Sequence, residues 1–330
     1  MLVPKYFLWS IFVILIIVSP LSLVAQESGV DTVITKESRA KSLAEYLNLN
    51  GALNENLTLA ELADILDGPK ESSFMTYNIR YNEPRDGVNW WMNRREHLVS
   101  LMRFYRPDVV GMQEVLWDQL VYVDSVMVNY DWIGVGRDDG ARAGEFAPII
   151  YNSQTVELVE GTVVTKWMSE TPDVVSKSWD AALPRIVTYA KFRRRVDGRE
   201  FWAFNTHFDH IGQVARENSA RLIKKWIGEV TGDEPVVLLG DFNVTEDNPV
   251  YEILTTGDSN LADAQHQSEI PHVGPEFTFE GFKVGGGDRR RIDYIFVREG
   301  MQVAAHAHLG HFRGENYPSD HLPVMVRVRF

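Results

Sequence analysis

The 330-residue chain contains no cysteine. That excludes disulfides, thiolate metal sites, a cysteine nucleophile and a lipidated cysteine anchor, and leaves stability to core packing. Positive charge is also short: 33 Lys and Arg stand against 46 Asp and Glu, a formal net charge of −13. Such a balance keeps a protein soluble and argues against general coating of nucleic acid. The basic cluster KFRRRVDGR (191–199) reads as a hairpin turn between two strands. Internal repeats and low-complexity tracts are missing, as is the strict βαβ rhythm of a doubly wound fold.

A long apolar run occurs only at the amino terminus. MLVPKYFLWSIFVILIIVSPLSLVAQESG reads as a secretory signal over residues 1–25 with cleavage after Ala25; an uncleaved anchor is the alternative. In either case the rest of the chain is expected to be exported, to a periplasmic or extracellular location, with membrane contact only through that segment. Residues 26–72 read as a linker with short helices, including LTLAELADIL (57–66).

What is present begins at about residue 73. Hydrophobic residues make up 45% of the chain and aromatics 11%, enough for a sizeable core. SFMTYNIRYN, DVVGMQE, FAPIIYN, RIVTYAKFR, FWAFNTHFD, PVVLLGDFN, RIDYIFVR and PVMVRVRF read as strands. REHLVSLMRFY, stopped by Arg106-Pro107, and VARENSARLIKKWIGEV read as helices. Irregular mixing of the two over 73–330 predicts one α/β domain around a large, mostly antiparallel or mixed sheet core.

Polar groups gather where these strands end: Asn78, Glu114, His207, Asp241 with Asn243, Asp293, and Asp320 with His321. Taken singly, each is an ordinary turn residue. Several lie beside apolar or aromatic neighbours, where an unpaired charge is costly to bury, so the set calls for a shared explanation.

TYNIR, MQE, NTHFDH, GDFN, RIDYIF and SDH, in that order over residues 73–330, resemble the endonuclease/exonuclease/phosphatase family of DNase I-like phosphoesterases. The similarity leans towards a secreted bacterial branch near the nocturnin- and deadenylase-like members. The resemblance implies a four-layer α/β sandwich, two packed sheets flanked by helices, and hydrolysis of a phosphoester by in-line attack of an activated water. It assigns Asn78 and Glu114 to a metal site, with Asp320 binding metal or supporting it. Mg²⁺ or Mn²⁺ suits a carboxylate–amide–water shell. It also pairs His321 with Asp293, gives Asp241 and Asn243 to the nucleophile and a phosphate oxygen, and gives His207 to the phosphoryl group or leaving oxygen. Asp241 and His321 both remain open as the formal base.

Further residues are expected near substrate. Arg80 leaves the strand on the face of Asn78; Arg185 can reach a phosphate; Asp209 and His210 extend NTH, with helix capping as the plainer role; Glu145 precedes a strand. His306, His308 and His311 in AHAHLGHF read as edge-strand alternation rather than a metal tract, and Trp167, Trp179, Trp202 and Trp226 as mostly core. The expected partner of this monomer is a small phosphorylated substrate. A secreted nuclease, a sphingomyelinase-like lipid phosphodiesterase, or an inactive binding protein on the same scaffold are the alternatives.

Overall fold

In SSFMTYN, alternate side chains face opposite ways. The strand it forms, β1 (Ser72–Asn78), sends Phe74 into the layer between two sheets and Met75 and Tyr77 into the layer outside them. Asn78 follows Phe74 and Thr76 onto the inner face. The computed structural model describes residues 70–257 and 261–330, and Glu71–Phe330 form one compact unit. The expected signal segment and the helix over 57–66 lie outside the described residues.

The first sheet runs, edge to edge, β12 (Gln302–His308), β13 (Val324–Arg329), β1, β2 (Val109–Gln113), β4 (Ile149–Asn152), β3 (Tyr130–Ile133). The second runs β10 (Leu261–Asp263), β11 (Asp293–Arg298), β9 (Val236–Asp241), β8 (Glu200–His207), β7 (Ile186–Arg194), β5 (Val156–Leu158), and β6 (Val164–Trp167) also pairs with β7. β1 is parallel to β2 and β8 to β9, and the other pairs are antiparallel. Phe74, Val109, Phe192, Phe201, Leu239 and Val326 fill the space between the sheets. Helices α1 (Trp91–Tyr105) and α2 (Trp117–Val126) cover the first sheet through Leu98, Met102 and Leu120. Helices α3 (Gln213–Thr231) and α4 (Pro249–Thr255) cover the second through Ile223, Trp226 and Leu254. These are the four layers of an α/β sandwich.

Local signals hold where the chemistry is strong. α1 stops at Arg106, in the left-handed region at φ 46°, one residue before a proline that cannot continue the helix. KFRRRVDGR spans the β7–β8 hairpin. Trp167, Trp202 and Trp226 are buried. Trp179 departs from the core expectation: it is only partly buried, in a surface loop at φ 57°. Among the described residues no helix is long and apolar enough to cross a membrane.

The two sheets are tied together one step below the strand ends. Gln113 Nε2 donates to Thr76 Oγ1 at 3.0 Å and to Asn205 Oδ1 at 2.7 Å. Asn205 Nδ2 in turn donates to the carbonyls of Met112 and Pro148 at 2.7 and 2.8 Å. Gly111 allows this approach, because a Cβ there would lie 2.6 Å from Asn205 Oδ1. This buried polar network links the two sheets, although Gln113 Oε1 has no hydrogen-bond partner among the described residues, and it sits directly under the polar strand ends.

Candidate active site

The register decides which side chains meet. Asp241 lies opposite Asp293 on β11 and beside His207 on β8. The inward alternation that takes Val237 and Leu239, Ile295 and Val297, and Phe201 and Ala203 into the inter-sheet core takes all three polar residues to the same face. Asn78 arrives from the other sheet and donates to Asp241 Oδ2 at 2.9 Å and to Glu114 Oε1 at 3.2 Å. Glu114 turns off β2 at φ 58°, which brings its Oε2 within 3.2 Å of the Tyr81 amide and 3.8 Å of Arg80 Nη1.

His321 Nδ1 lies 2.8 Å from Asp293 Oδ2, and its Nε2 lies 3.8 Å from Asp241 Oδ2. The Phe279 ring packs edge-on against the imidazole at 4.9 Å. Burial opposes charge on His321, but Asp293 and Asp241 outweigh it and carry the imidazole up to about 10. Burial, reinforced by Asp293, pushes Asp241 up to about 7. Burial also raises Asp320, with Glu114 adding to it. His207 Nε2 is 3.5 Å from Asp241 Oδ2; burial, then Arg185 and Arg137, hold this imidazole well below its usual range. The Asn243 amide N–H donates to Asp241 Oδ1 at 2.9 Å, and its side chain donates to the Phe208 carbonyl at 3.1 Å. One further side-chain N–H of Asn243 remains for a ligand.

Two residues that position this centre were not legible in the sequence. The buried Arg94 guanidinium donates to the carbonyls of Ile79 (2.6 Å), Arg80 (2.7 Å) and Pro318 (3.0 Å), clamping the exit of β1 to the Ser319–His321 turn. Ser319 Oγ donates to the Asn78 carbonyl at 2.8 Å and completes that clamp. A helical arginine reads as a surface charge until the chain it grips is known.

Beside His207 lies a small pocket lined by Arg137, Glu145, Phe146, Ala147, Arg185 and Ile186. Arg137 was also unforeseen; it grips Glu145 bidentately, both bonds 2.8 Å, and Glu145 Oε2 is 3.9 Å from His207 Nδ1. Arg185 is 4% exposed, with Nε 3.4 Å from Asp209 Oδ2 and Nη2 2.9 Å from His210 Nδ1. Arg137 Nε and Arg185 Nη1 are buried with no hydrogen-bond partner among the described residues, though Asp138 Oδ1 stands 3.9 Å from Arg137 Nε. Asp209 accepts from the amides of Ala182, Leu183, Ile211 and Gly212. Burial opposes its charge, but these bonds and Arg185 bring it below the ordinary carboxylate range. It therefore staples the loop that carries Arg185, while Asp180 caps α3. Arg80 is held bidentately by Asp86 at 3.0 and 3.1 Å at the rim.

The profile of the Endonuclease/Exonuclease/phosphatase family matches residues 75–321. The chain belongs to this family. A member from Bacteroides vulgatus superposes with a TM-score of 0.76 at 38% identity, covering 79% of this chain and 99% of that one. A mannosyl-6-phosphatase of Bacteroides thetaiotaomicron gives 0.73 at 34% identity, covering 78% and 100%. Nocturnin of Drosophila melanogaster is 24% identical over 275 residues, 71% of this chain but only 41% of that protein. Members of the family are phosphoester hydrolases, and the strand-end cluster lies inside the matched region.

Proposed function

We propose that this family member is a divalent-metal-dependent phosphatase acting on a small, hydroxyl-rich phosphomonoester such as a sugar phosphate. The observation that carries the reading is the pocket beside His207. A monoester phosphate carries a second negative charge that a diester lacks, and two buried guanidiniums with unused N–H groups match it. Glu145 spends one lone pair per oxygen on Arg137 and keeps others for substrate hydroxyls. Likeness to the mannosyl-6-phosphatase supports the same substrate class. The basic hairpin does not offer a nucleic-acid groove: Lys191 pairs with Glu200 and Glu234, Arg193 with Glu157 and Glu200, Arg194 with Asp197, and Arg195 with Glu157.

The donor set fits a hard cation. Glu114 and Asp320 offer carboxylate oxygens, and Asn78 offers an Oδ1 that accepts from the Arg80 amide at 3.0 Å and keeps a second lone pair. Burial, with Asp293 beside Asp241 and Glu114 beside Asp320, raises both carboxyls and makes their charges costly without a cation. Glu114 and Asn78 would hold Mg²⁺ or Mn²⁺, with Asp320 alongside. When bound, the ion neutralises charge on the phosphate and the leaving oxygen. Asp241 and His321 act as one proton-sharing unit that orients the attacking water and takes its proton. Neutral His207 and the free Asn243 N–H donate to phosphoryl oxygens.

Removing one charge-assisted contact costs about 1.5–3 kcal/mol, roughly ten- to a hundredfold in kcat/KM. Arg185→Ala and Glu145→Gln should each lose that much on a hexose phosphate while keeping most activity on a p-nitrophenyl phosphodiester, with Tm confirming the fold. Equal losses on both substrates would assign these residues to the reaction core and remove the basis for the monoester reading.

A further inference from the structure

β12 carries histidine where its neighbours carry valine. Its register sets His306 opposite Val326 and His308 opposite Val324, both in the apolar layer between the sheets. Directly opposed residues share a face, so both imidazoles enter that layer, and each is 1% exposed. A segment runs along the outer side of β12 through the Ser268–Val303 and Val273–Ala307 bridges. It brings His272 to them. His272 Nδ1 lies 2.9 Å from His306 Nδ1, and the three ring centroids are 4.4–5.1 Å apart.

The hydrogen bonds place the protons. The Pro275 carbonyl can only accept, so it takes N–H bonds from His272 Nε2 at 3.1 Å and His308 Nδ1 at 2.6 Å. That leaves lone pairs on His272 Nδ1 and His308 Nε2. His306 then donates from Nδ1 to His272 Nδ1 and is left with a bare Nε2. His308 Nε2, a bare lone pair, is buried without a hydrogen-bond partner among the described residues, an arrangement that costs stability unless something else binds there; His306 Nε2 is also without one. A backbone carbonyl that fixes the outer N–H of a ring and leaves its inner nitrogen bare is how metal-ligating histidines are oriented.

We propose that His272, His306 and His308 form a second metal site, for Zn²⁺ or a similar borderline cation, distinct from the oxygen-lined centre at Asn78 and Glu114. Imidazole donors favour such ions over Mg²⁺ and Mn²⁺. One ligand atom from each ring lies within 4.8 Å of the others. A tetrahedral ion with Zn–N bonds of about 2.0–2.1 Å sets its ligands about 3.3 Å apart, so the His272–His306 pair opens slightly and His308 moves in. His306 binds through Nδ1 and passes its proton to Nε2, which keeps no protein hydrogen-bond partner among the described residues, so no proton need leave and the gain comes from the three ligand bonds. His272 is only partly buried, which gives the ion a route in and water a fourth position. Arg291, whose charge reaches these rings, is already paired with Asp263 at 2.7 Å and with Glu246. A bound ion ties the 268–275 segment to the edge strand.

The test uses full-length chelator-treated protein at pH 7.5, in the Glu114→Ala background so that the other centre contributes little. Zn²⁺ at about a hundredfold its Kd should raise Tm by roughly 5 °C or more, and Co²⁺ should give the visible bands of a tetrahedral site. Both signals should vanish in His272→Ala and in the His306→Val/His308→Val double variant, and survive in His266→Ala, which disrupts the more exposed Glu246–Asp263–His266 group. Because His272 sits on a surface segment, its variant should keep the metal-free Tm and, with Glu114 intact, Mg²⁺-dependent hydrolysis. Absence of a Zn²⁺ shift in the parent, or an equal shift in His272→Ala and the valine variant, would overturn the proposal.

Discussion

His321→Ala is expected to lower kcat roughly 10²–10⁴-fold, on a hexose phosphate and on p-nitrophenyl phosphate alike. A positioned acid–base group contributes an effect of that size, and His321 reaches the reaction centre from a fixed mount. Asp293 holds its Nδ1 at 2.8 Å, Phe279 packs on its ring, and its Nε2 faces Asp241 at 3.8 Å. The loss should therefore fall on kcat with little change in KM, since the pocket of Arg137, Glu145 and Arg185 is untouched. Asp293→Asn should give a smaller fall, because the amide preserves the shape of the contact but removes the charge that favours the imidazolium. Near-normal turnover in His321→Ala would remove this residue from the mechanism.

Removal of the divalent cation should have a comparable effect. Chelation is expected to reduce hydrolysis to background, with Mg²⁺ or Mn²⁺ restoring it. Glu114→Ala should lose roughly 10²–10³-fold, the cost of removing a preorganised electrostatic element from the transition state, and should need more metal for half-maximal rate. The reason is local: Glu114 adopts φ 58°, unusual for a non-glycine residue. That turn puts its carboxylate between Asn78 and the Tyr81 amide. Backbone strain of this kind persists where the surroundings over-determine it. Full activity after exhaustive chelation would contradict the metal assignment.

Much of this centre could be read from the sequence because strand alternation is a rigid rule. Once Phe74, Leu239, Ile295 and Phe201 are placed in the inter-sheet core, Asn78, Asp241, Asp293 and His207 must follow onto the same face. What alternation cannot supply is contact across the chain. Arg94 is one of several arginines on a helix until its carbonyl partners at Ile79 and Pro318 appear. Arg137, in GRDDGARAGE, is indistinguishable from Arg142 in the sequence, yet Arg137 grips Glu145 whereas Arg142 stacks on Trp117. Among the carboxy-terminal histidines, proximity in sequence groups His311 with His306 and His308. The fold sends His311 to Tyr105 and brings in His272 from another loop.

The central claim, hydrolysis at the strand-end centre of a small phosphomonoester recognised by Arg137, Glu145 and Arg185 beside it, is tested most directly by one comparison in Mg²⁺. It sets orthophosphate release from hexose 6-phosphates against cleavage of a phosphodiester and of a single-stranded oligonucleotide. A hexose phosphate should be favoured in kcat/KM by roughly ten- to a hundredfold, the worth of one charge-assisted contact that the diester cannot make. Efficient cutting of the oligonucleotide, with no orthophosphate released from any monoester, would contradict the claim.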